Sequence, residues 1–217
     1  MSHYEDQLID LIETDKLKIE PQSRKNEVLS FIKQGLTDIS ISRSKLRTGG
    51  WGVPVPGEAD QVVYVWIDAL INYLTGQGYG ENEKWKEVWS ESVEKVHCIG
   101  KNVWKFHAIY WPALLLSANL PLPDQIYVHG FLTESGQKIS KSLGAKVDPL
   151  DLVERYGSDS VRFYLLHGFS HYADGDFSIE GLIKCHNTFL VNGLGNLFSR
   201  LWKLCESAGV TVEQPRE

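Results

Sequence analysis

The sequence has 217 residues, of which 42% are hydrophobic and 23% are charged, and its formal net charge is −6. This composition is typical of a folded domain with a sizeable core and excludes a disordered tail. The negative charge argues against a broad nucleic-acid-coating surface, although a local basic patch on an acidic protein can still hold a folded nucleic acid. Residues 1–16 contain no continuous apolar stretch, and the longest apolar run, residues 108–116, is too short to cross a bilayer. We therefore expect a soluble intracellular protein.

The first forty residues predict two helices and a strand. An amphipathic first helix extends to about Ile19 and is broken at Pro21. A second helix is predicted over residues 25–34. Residues 38–43 alternate isoleucine with serine, which predicts a short half-buried strand.

The central part of the sequence predicts a parallel α/β sheet. The run VVYVWI at residues 62–67 is continuous, apolar and β-prone, which is typical of a strand buried on both faces, and a helix is predicted to follow from Asp68. Residues 93–99 predict a second strand, with a helix from Asn102, and residues 125–128 predict a third strand. Strands and helices alternate with short turns, an order that indicates parallel pairing.

After Gly144 the sequence predicts helices only. Asp148 followed by Pro149 is typical of a helix start, because the carboxylate can cap the helix and proline fits its first position. A long helix is predicted over about residues 178–207. The sequence therefore predicts an α/β domain followed by the first part of a helical domain.

Residues 138–142 read KISKS and follow a polar turn at residues 134–137. Lys138 and Lys141 on such a loop could place positive charge against a polyphosphate. Taken alone, a basic loop of this kind is more often a solvated surface turn.

The lysine loop resembles the KMSKS signature of class I aminoacyl-tRNA synthetases, and it follows a predicted strand and precedes a helical region, as that signature requires. Further stretches between residues 20 and 204 are similar to the methionyl-tRNA synthetase family. They are RKNEV with SISR (24–43), WGVPVPG (51–57), YVWIDA (64–69), IGKN with FH and WP (99–112), and Asn187 with NGLGN and Arg200 (187–200).

The resemblance implies the fold class and the domain organisation. The chain would be α/β, forming the second half of a Rossmann-type parallel sheet with the KMSKS loop, followed by helices that open an α-helical bundle. Residues 1–144 would be a partial catalytic domain and residues 145–177 a helical stem-contact region. Residues 178–217 would be the first helix of the anticodon-binding domain.

The resemblance also implies roles for individual residues. Lys138 and Lys141 would be the catalytic lysines that stabilise the pyrophosphate leaving group. ATP would be bound by these two lysines together with Gly52, Gly100, Asn102, Leu132 and Ser140. The pocket for the methionine side chain would be lined by Trp66, Ala69, Tyr73, Val103, Phe106 and His107. A thioether favours aromatic faces and one weak donor, and Tyr73 could supply both.

The implied function is that of a methionine–tRNA ligase, which activates methionine with ATP and Mg²⁺ and transfers it to tRNA(Met). No protein-held metal is expected, because the three cysteines form no CxxC pair. A cytoplasmic location and no membrane contact are expected, and an organellar location stays open.

Two departures from the family pattern bear on activity. Asn102 stands where the family usually has Asp, and its amide is a weaker partner for a ribose hydroxyl than a carboxylate. No H-x-G-H motif precedes the lysine loop. We therefore expect that the first half of the catalytic domain is missing, that it is a partner of this chain, and that the isolated chain is inactive.

Two alternatives remain open. The chain could be a non-catalytic methionine- or tRNA-binding module of the same fold, a reading that Asn102 and the absent motif favour. It could also resemble another class I synthetase, such as the cysteinyl or leucyl enzyme. The YVWIDA and FH…WP stretches disfavour that possibility.

Overall fold

The computed structural model describes residues 1–90, 92–139 and 147–210, and for Lys138 it describes the backbone only. The chain divides into two compact units, Met1–His129 and Gly130–Glu217.

Among residues 1–90 and 92–129, the first unit shows six strands and six labelled helices, preceded by a 3₁₀ turn at Ser2–Tyr4. The strands are β1 (Lys18–Glu20), β2 (Ser42–Ser44), β3 (Pro54–Val55), β4 (Glu58–Val63), β5 (Val96–Gly100) and β6 (Gln125–His129). The helices are α1 (Glu5–Glu13), α2 (Gln22–Ile32), α3 (Lys45–Thr48), α4 (Val65–Thr75), α5 (Trp85–Val88) and α6, which begins as the π-helical turn Phe106–Tyr110 and continues as the α-helix Trp111–Ser117.

Two small sheets organise this unit. The first has the order β1–β6–β5 with every pair parallel, and its register places Ile126 of β6 between Ile19 of β1 and His97 of β5. The second is antiparallel, with the order β2–β4–β3. The expected α/β class with a parallel sheet is confirmed.

The helices α1 and α2 pack on the parallel sheet through side chains spaced four residues apart. Leu8 and Ile12 of α1, and Val28 and Ile32 of α2, are fully buried in one cluster with Ile126 of the central strand. Residues four apart lie on one face of a helix, so each helix contributes a continuous apolar stripe. This core supports the carboxyl ends of β5 and β6.

The prediction of a buried parallel strand over residues 62–67 is wrong. The strand β4 ends at Val63, pairs antiparallel with β2 and β3, and gives way to helix α4 at Val65. The buried residues of α4, Ile67, Leu70 and Leu74, have helical spacing. Packing of this stripe against the core therefore prevails over the β propensity of valine and tryptophan.

The third strand of the parallel sheet is instead β1, which lies where the first helix was expected to continue. Helix α1 ends at Glu13, and Lys18–Glu20 pair with β6. The amide of Lys18 donates to the carbonyl of Asp124 at 2.9 Å. A strand of three residues carries too little alternation to be recognised from sequence.

Several predicted boundaries are also shifted. Helix α2 is Gln22–Ile32 and not 25–34, and the strand expected at 38–43 is β2, Ser42–Ser44. The helix expected from Asn102 begins at residue 104, where two helical residues precede the π-helical turn of α6. The strands predicted over 93–99 and 125–128 are present with shifted bounds, as β5 (Val96–Gly100) and β6 (Gln125–His129).

The second unit combines a small sheet with helices. Its strands are β7 (Leu132–Glu134), β8 (Gln137–Lys138) and β9 (Gly175–Asp176), in the order β8–β7–β9. Its helices are α7 (Pro149–Tyr156), α8 (Ser158–His167), α9 (Ile179–Cys185), a π-helical segment (His186–Gly195) and α10 (Asn196–Ser207). Strand β9 contradicts the expectation of helices only after Gly144. It forms because Gly175 and Asp176 pair with β7, a long-range contact that local sequence does not reveal.

The predicted start at Asp148–Pro149 is confirmed, since the Asp148 carboxylate accepts a hydrogen bond from the Leu150 amide at 2.8 Å. The core of this unit consists of Leu152, Val161, Tyr164, Phe177, Leu182 and Cys185. In the described part of the chain, no helix is long and apolar enough to cross a membrane. The three domain boundaries expected from the family resemblance stay predictions.

Replacing Leu8 by alanine tests the core described here. Leu8 is 0% exposed, and we expect Leu8→Ala to lower the free energy of unfolding by about 3 kcal/mol, because it removes buried surface and leaves a cavity. Leu46 is 97% exposed, so the matched control Leu46→Ala should change the free energy of unfolding by less than about 0.5 kcal/mol. Denaturant unfolding followed by circular dichroism measures both. Equal effects of the two variants would contradict this description of the core.

Candidate functional site

Helix α4 presents three of the predicted pocket residues on one face. Trp66, Ala69 and Tyr73 are spaced by three and four residues, which aligns them along the helix. The helix begins directly after Tyr64, whose backbone is extended (φ −63°, ψ 124°). The early start of α4, which the sequence pattern did not predict, is what places Trp66 in the first turn of the helix.

Helix α6 supplies the facing side of the site. The amide of Val103 donates to the carbonyl of Gly100 at 3.1 Å, so the chain turns immediately after β5. Phe106 and His107 then lie in the π-helical turn that opens α6. Such turns are wider than α-helical ones and occur frequently at functional sites.

A hydrogen-bond chain links the two helices and fixes the protonation of His107. The ring Nδ1 of His107 lies 3.0 Å from the carbonyl oxygen of Val103. A carbonyl can only accept, so Nδ1 carries the proton and the neutral ring accepts at Nε2. The Tyr73 hydroxyl lies 2.8 Å from Nε2 and therefore donates to it. Burial lowers the pKa of His107, while its bond to Val103 opposes that effect.

Two aromatic rings stack beside this chain. The indole of Trp66 and the ring of Phe106 are nearly parallel, at an angle of 9°, with centroids 3.8 Å apart. The edge of the His107 ring approaches Trp66 at 6.3 Å. The structure thus brings together Trp66, Tyr73, Phe106 and His107, with Val103 joined through its carbonyl. Ala69 is exposed on the same face of α4.

His97 and Trp111 also belong to this cluster, although neither was predicted as a pocket residue. The indole N–H of Trp111 donates to Nε2 of His97 at 3.2 Å, and the His97 ring lies 4.2 Å from that of Tyr73. Burial, and secondarily the nearby His107, lower the pKa of His97 to about 4. No sequence signal pointed to His97, because it is the structure that buries this polar residue of β5 while Val96 and Cys98 are exposed.

The predicted ATP-binding residues of the first unit lie at two places. Gly52 has φ +134°, and a Cβ there would come within 3.0 Å of the Cβ of Val62, so backbone geometry by itself favours glycine. Gly100 and the exposed Asn102 form the turn after β5, where the Lys101 amide donates to the His129 carbonyl at 3.1 Å. Ligands of open α/β sheets bind at such carboxyl ends of strands.

The remaining predicted residues belong to the second unit. Leu132 is in β7 and Lys138 in β8, and the two strands are joined by a turn at Ser135 and Gly136 with φ of +53° and +73°. Positive φ at both residues is typical of a two-residue hairpin turn. Ser140 and Lys141 lie outside the described residues.

Asp176 holds this hairpin, a role that sequence reasoning missed. Its Oδ1 accepts hydrogen bonds from the Gly136 amide at 2.9 Å and from the Thr133 hydroxyl at 2.8 Å. These bonds, that of Gly136 first, lower the pKa of Asp176. No sequence signal pointed to Asp176, because β9 has two residues and pairs with a strand more than forty positions away.

A protein-held metal ion finds no ligand set in the described part of the chain. No group of three or more His, Cys, Asp or Glu side chains is arranged there to hold one.

Comparison with known proteins identifies the family of this arrangement. Residues 1–202 match the family model described as tRNA synthetases class I (M). The chain is 45% identical to the methionine–tRNA ligase of Brucella suis over 216 residues, which are 99% of this chain and 41% of that protein. It is 45% identical to the Thermotoga maritima methionine–tRNA ligase over 201 residues, 93% of this chain and 31% of that protein.

Solved structures give the same result. The Mycobacterium tuberculosis methionyl-tRNA synthetase bound by methionyl-adenylate is similar with a TM-score of 0.84 at 41% identity, over 100% of this chain and 42% of that chain. The chain thus spans about two fifths of the length of these relatives, or less.

The stability of the chain should depend on pH through His97. Its pKa is 6.5 when unfolded and about 4 when folded, so the unfolded state binds a proton first as the pH falls. The contribution of the neutral His97 to the free energy of unfolding is complete above pH 6.5. It should decrease by up to about 3 kcal/mol between pH 6.5 and 4. Denaturant unfolding at a series of pH values measures this. In His97→Phe the slope over this interval should be smaller, and an unchanged slope would contradict the assignment.

Asp176 should control the order of the β7–β8 hairpin. In Asp176→Ala we expect the amide hydrogen of Gly136 to exchange about fivefold faster, because its acceptor is lost. Asp176→Asn is the matched control, since both bonds go to Oδ1 and an amide oxygen still accepts. Hydrogen exchange followed by NMR measures the difference. Equal exchange in the alanine variant and the native chain would show that Asp176 does not hold the turn.

Proposed function

Because the chain belongs to the methionyl-tRNA synthetase family of class I, we propose that it supplies the methionine-binding part of a methionine–tRNA ligase. The observation that carries this proposal is the aromatic site in which Tyr73 donates to a neutral His107 beside the stacked Trp66 and Phe106. The relatives named methionine–tRNA ligase and the similar structure bound by methionyl-adenylate support it.

The chemistry of this site suits an uncharged, polarisable side chain. The burial that lowers the pKa values of His97 and His107 keeps both rings neutral near pH 7, so neither is a cation that would attract a carboxylate side chain. Aromatic rings interact favourably with thioether sulfur, and sulfur is a weak acceptor. The single hydroxyl proton of Tyr73 is donated to His107, so the aromatic rings of Tyr73, Trp66 and Phe106 are the groups that would contact that sulfur.

In the proposed activation step, a carboxylate oxygen of methionine attacks the α-phosphorus of ATP. The bond to the bridging oxygen breaks, and pyrophosphate leaves with the additional negative charge as methionyl-adenylate forms. Little covalent catalysis is needed, so positioning and charge stabilisation dominate. We assign charge stabilisation to Lys138 and Lys141, and nucleotide contacts to Gly52, Gly100, Asn102, Leu132 and Ser140. The methionyl group is then transferred to tRNA(Met).

Mg²⁺ would enter with ATP, bound to its phosphate oxygens. Oxygen ligands suit this ion, and in such sites it is commonly shared with substrate phosphates.

The proposed activity also needs parts of the enzyme that this sequence does not contain. The chain spans 41% of the Brucella suis relative, and its 217 residues include no H-x-G-H motif. We propose that a first catalytic half, on the same polypeptide or a separate one, completes the site in the cytoplasm. A non-catalytic module that binds methionine or tRNA is the second candidate, favoured by Asn102 in place of the family's usual Asp.

Methionine-dependent ATP–pyrophosphate exchange distinguishes these candidates. The chain is assayed alone and with a first-half fragment of a close relative, and we expect exchange only in the mixture. Lys138→Ala should lower its rate by about 100-fold, because a charge on the leaving group loses its partner. Lys33→Ala, which removes an exposed lysine from the end of α2, is the control and should leave the rate unchanged.

Absence of exchange in the mixture, with the circular dichroism spectrum intact, would instead identify a non-catalytic module. Exchange dependent on another amino acid would contradict the assignment to methionine.

A further inference from the structure

One buried titratable side chain contacts the methionine site without having a role in the proposed chemistry. His97 lies on β5 and is 6% exposed. Its ring centroid is 4.2 Å from that of Tyr73, at an angle of 51°. The rings of Trp89 and His107 lie farther from it, at 5.9 Å each. Of these three rings, that of Tyr73 lies nearest to His97 by centroid distance.

A hydrogen bond from Trp111, whose own ring lies 5.9 Å from that of Tyr73, fixes the orientation of the His97 ring. An indole N–H can only donate, so the bond from Trp111 makes Nε2 of His97 the acceptor and leaves the proton on Nδ1. Trp111 packs at 6.0 Å against Trp89, whose own indole N–H donates to the Pro121 carbonyl at 2.8 Å. Two anchored indoles thus hold His97 in one position.

The Tyr73 ring needs such support because of where it lies. Tyr73 is in the last turns of α4 and is 36% exposed, so helix packing alone constrains it less than a buried side chain. Ordering a partly exposed aromatic side chain costs conformational entropy, which a fixed neighbouring ring reduces. The bond from its hydroxyl to His107 is sensitive to the tilt of the ring.

We propose that His97 is a positioning residue for methionine recognition. Its ring supports the Tyr73 ring in the orientation in which the Tyr73 hydroxyl reaches Nε2 of His107. This inference rests on the proposed function, since the site that His97 positions is the methionine pocket. A protonated His97 would lose its bond from Trp111, and burial disfavours that form.

Substitutions at position 97 distinguish the contribution of the aromatic ring of His97 from that of its hydrogen-bond acceptor. His97→Phe keeps a flat ring and removes the acceptor, whereas His97→Gln keeps an acceptor near the position of Nε2 and removes the ring. His97→Leu removes both. Ile126→Val is the control for loss of core packing, because Ile126 is fully buried on the neighbouring strand at the same register position.

The first readout uses the 217-residue chain and needs no activity. Long-range ¹H–¹⁵N NMR reports whether Nε2 of His107 accepts a hydrogen bond, and Tyr73→Phe provides the reference without that bond. In His97→Gln and His97→Leu the Nε2 signal should move towards the Tyr73→Phe value. In His97→Phe and Ile126→Val it should stay at the native value. A native signal in His97→Leu would overturn the proposal.

The second readout is ATP–pyrophosphate exchange with the first-half fragment present. His97→Gln and His97→Leu should raise the KM for methionine about tenfold with kcat within about twofold, while His97→Phe restores the native KM. An unchanged KM in His97→Leu, or the same change in Ile126→Val, would overturn the proposal. If the native mixture shows no methionine-dependent exchange, the proposed function fails, and the NMR signal alone decides the role of His97.

Discussion

The carbonyl oxygen of Val103 accepts hydrogen bonds from both the backbone amide and the ring Nδ1 of His107, at 3.3 and 3.0 Å. Because this acceptor fixes the tautomer, Nε2 is left as an acceptor, and Tyr73 of the opposite helix can donate to it. The two helices of the site are therefore joined through a ring whose proton position is set by the backbone. The neutrality of the cluster has a separate cause, since burial lowers the pKa of His107 while its bond to Val103 opposes that effect.

The neutral aromatic cluster and the lysine that we propose for charge stabilisation belong to different units of the chain. The aromatic cluster belongs to the unit Met1–His129, where burial lowers the pKa of both histidines. Lys138 belongs to the unit Gly130–Glu217, on a hairpin whose turn is held by Asp176. A cation buried within the aromatic cluster would be costly to desolvate, so the proposed charge stabilisation falls to residues outside that cluster.

The sequence predicted the class of the fold and the strands β5 and β6, since each has a distinct apolar run bounded by turns. It failed at residues 62–67, where one stretch serves both as the end of β4 and as the start of α4. Local propensity favours a strand there. The helix begins at Val65 because it buries Leu70 and Leu74 in the core, and local sequence does not reveal this packing. Strands β1 and β9 depend on long-range pairing and have no local signal.

For the site, motif resemblance identified Trp66, Tyr73, Phe106 and His107, which the structure places in contact. It did not identify His97 and Trp111, which contact this cluster, or Asp176, which holds the β7–β8 hairpin. Their importance comes from hydrogen bonds and ring contacts between distant segments, such as the bond from Trp111 to His97. Spacing along the chain carries no information about such bonds.

The π-helical turn at Phe106–Tyr110 also limits how the sequence can change in length. His107 lies within this turn, and its ring accepts the hydrogen bond from Tyr73. Trp111 directly follows the turn, and its indole donates to the ring of His97. Each residue of an α-helix turns the chain by about 100°. Deleting one residue here would make the helix more regular, yet would swing the Trp111 indole away from His97. Natural variation in this segment should therefore consist of substitutions, with insertions and deletions confined to the loops before and after it.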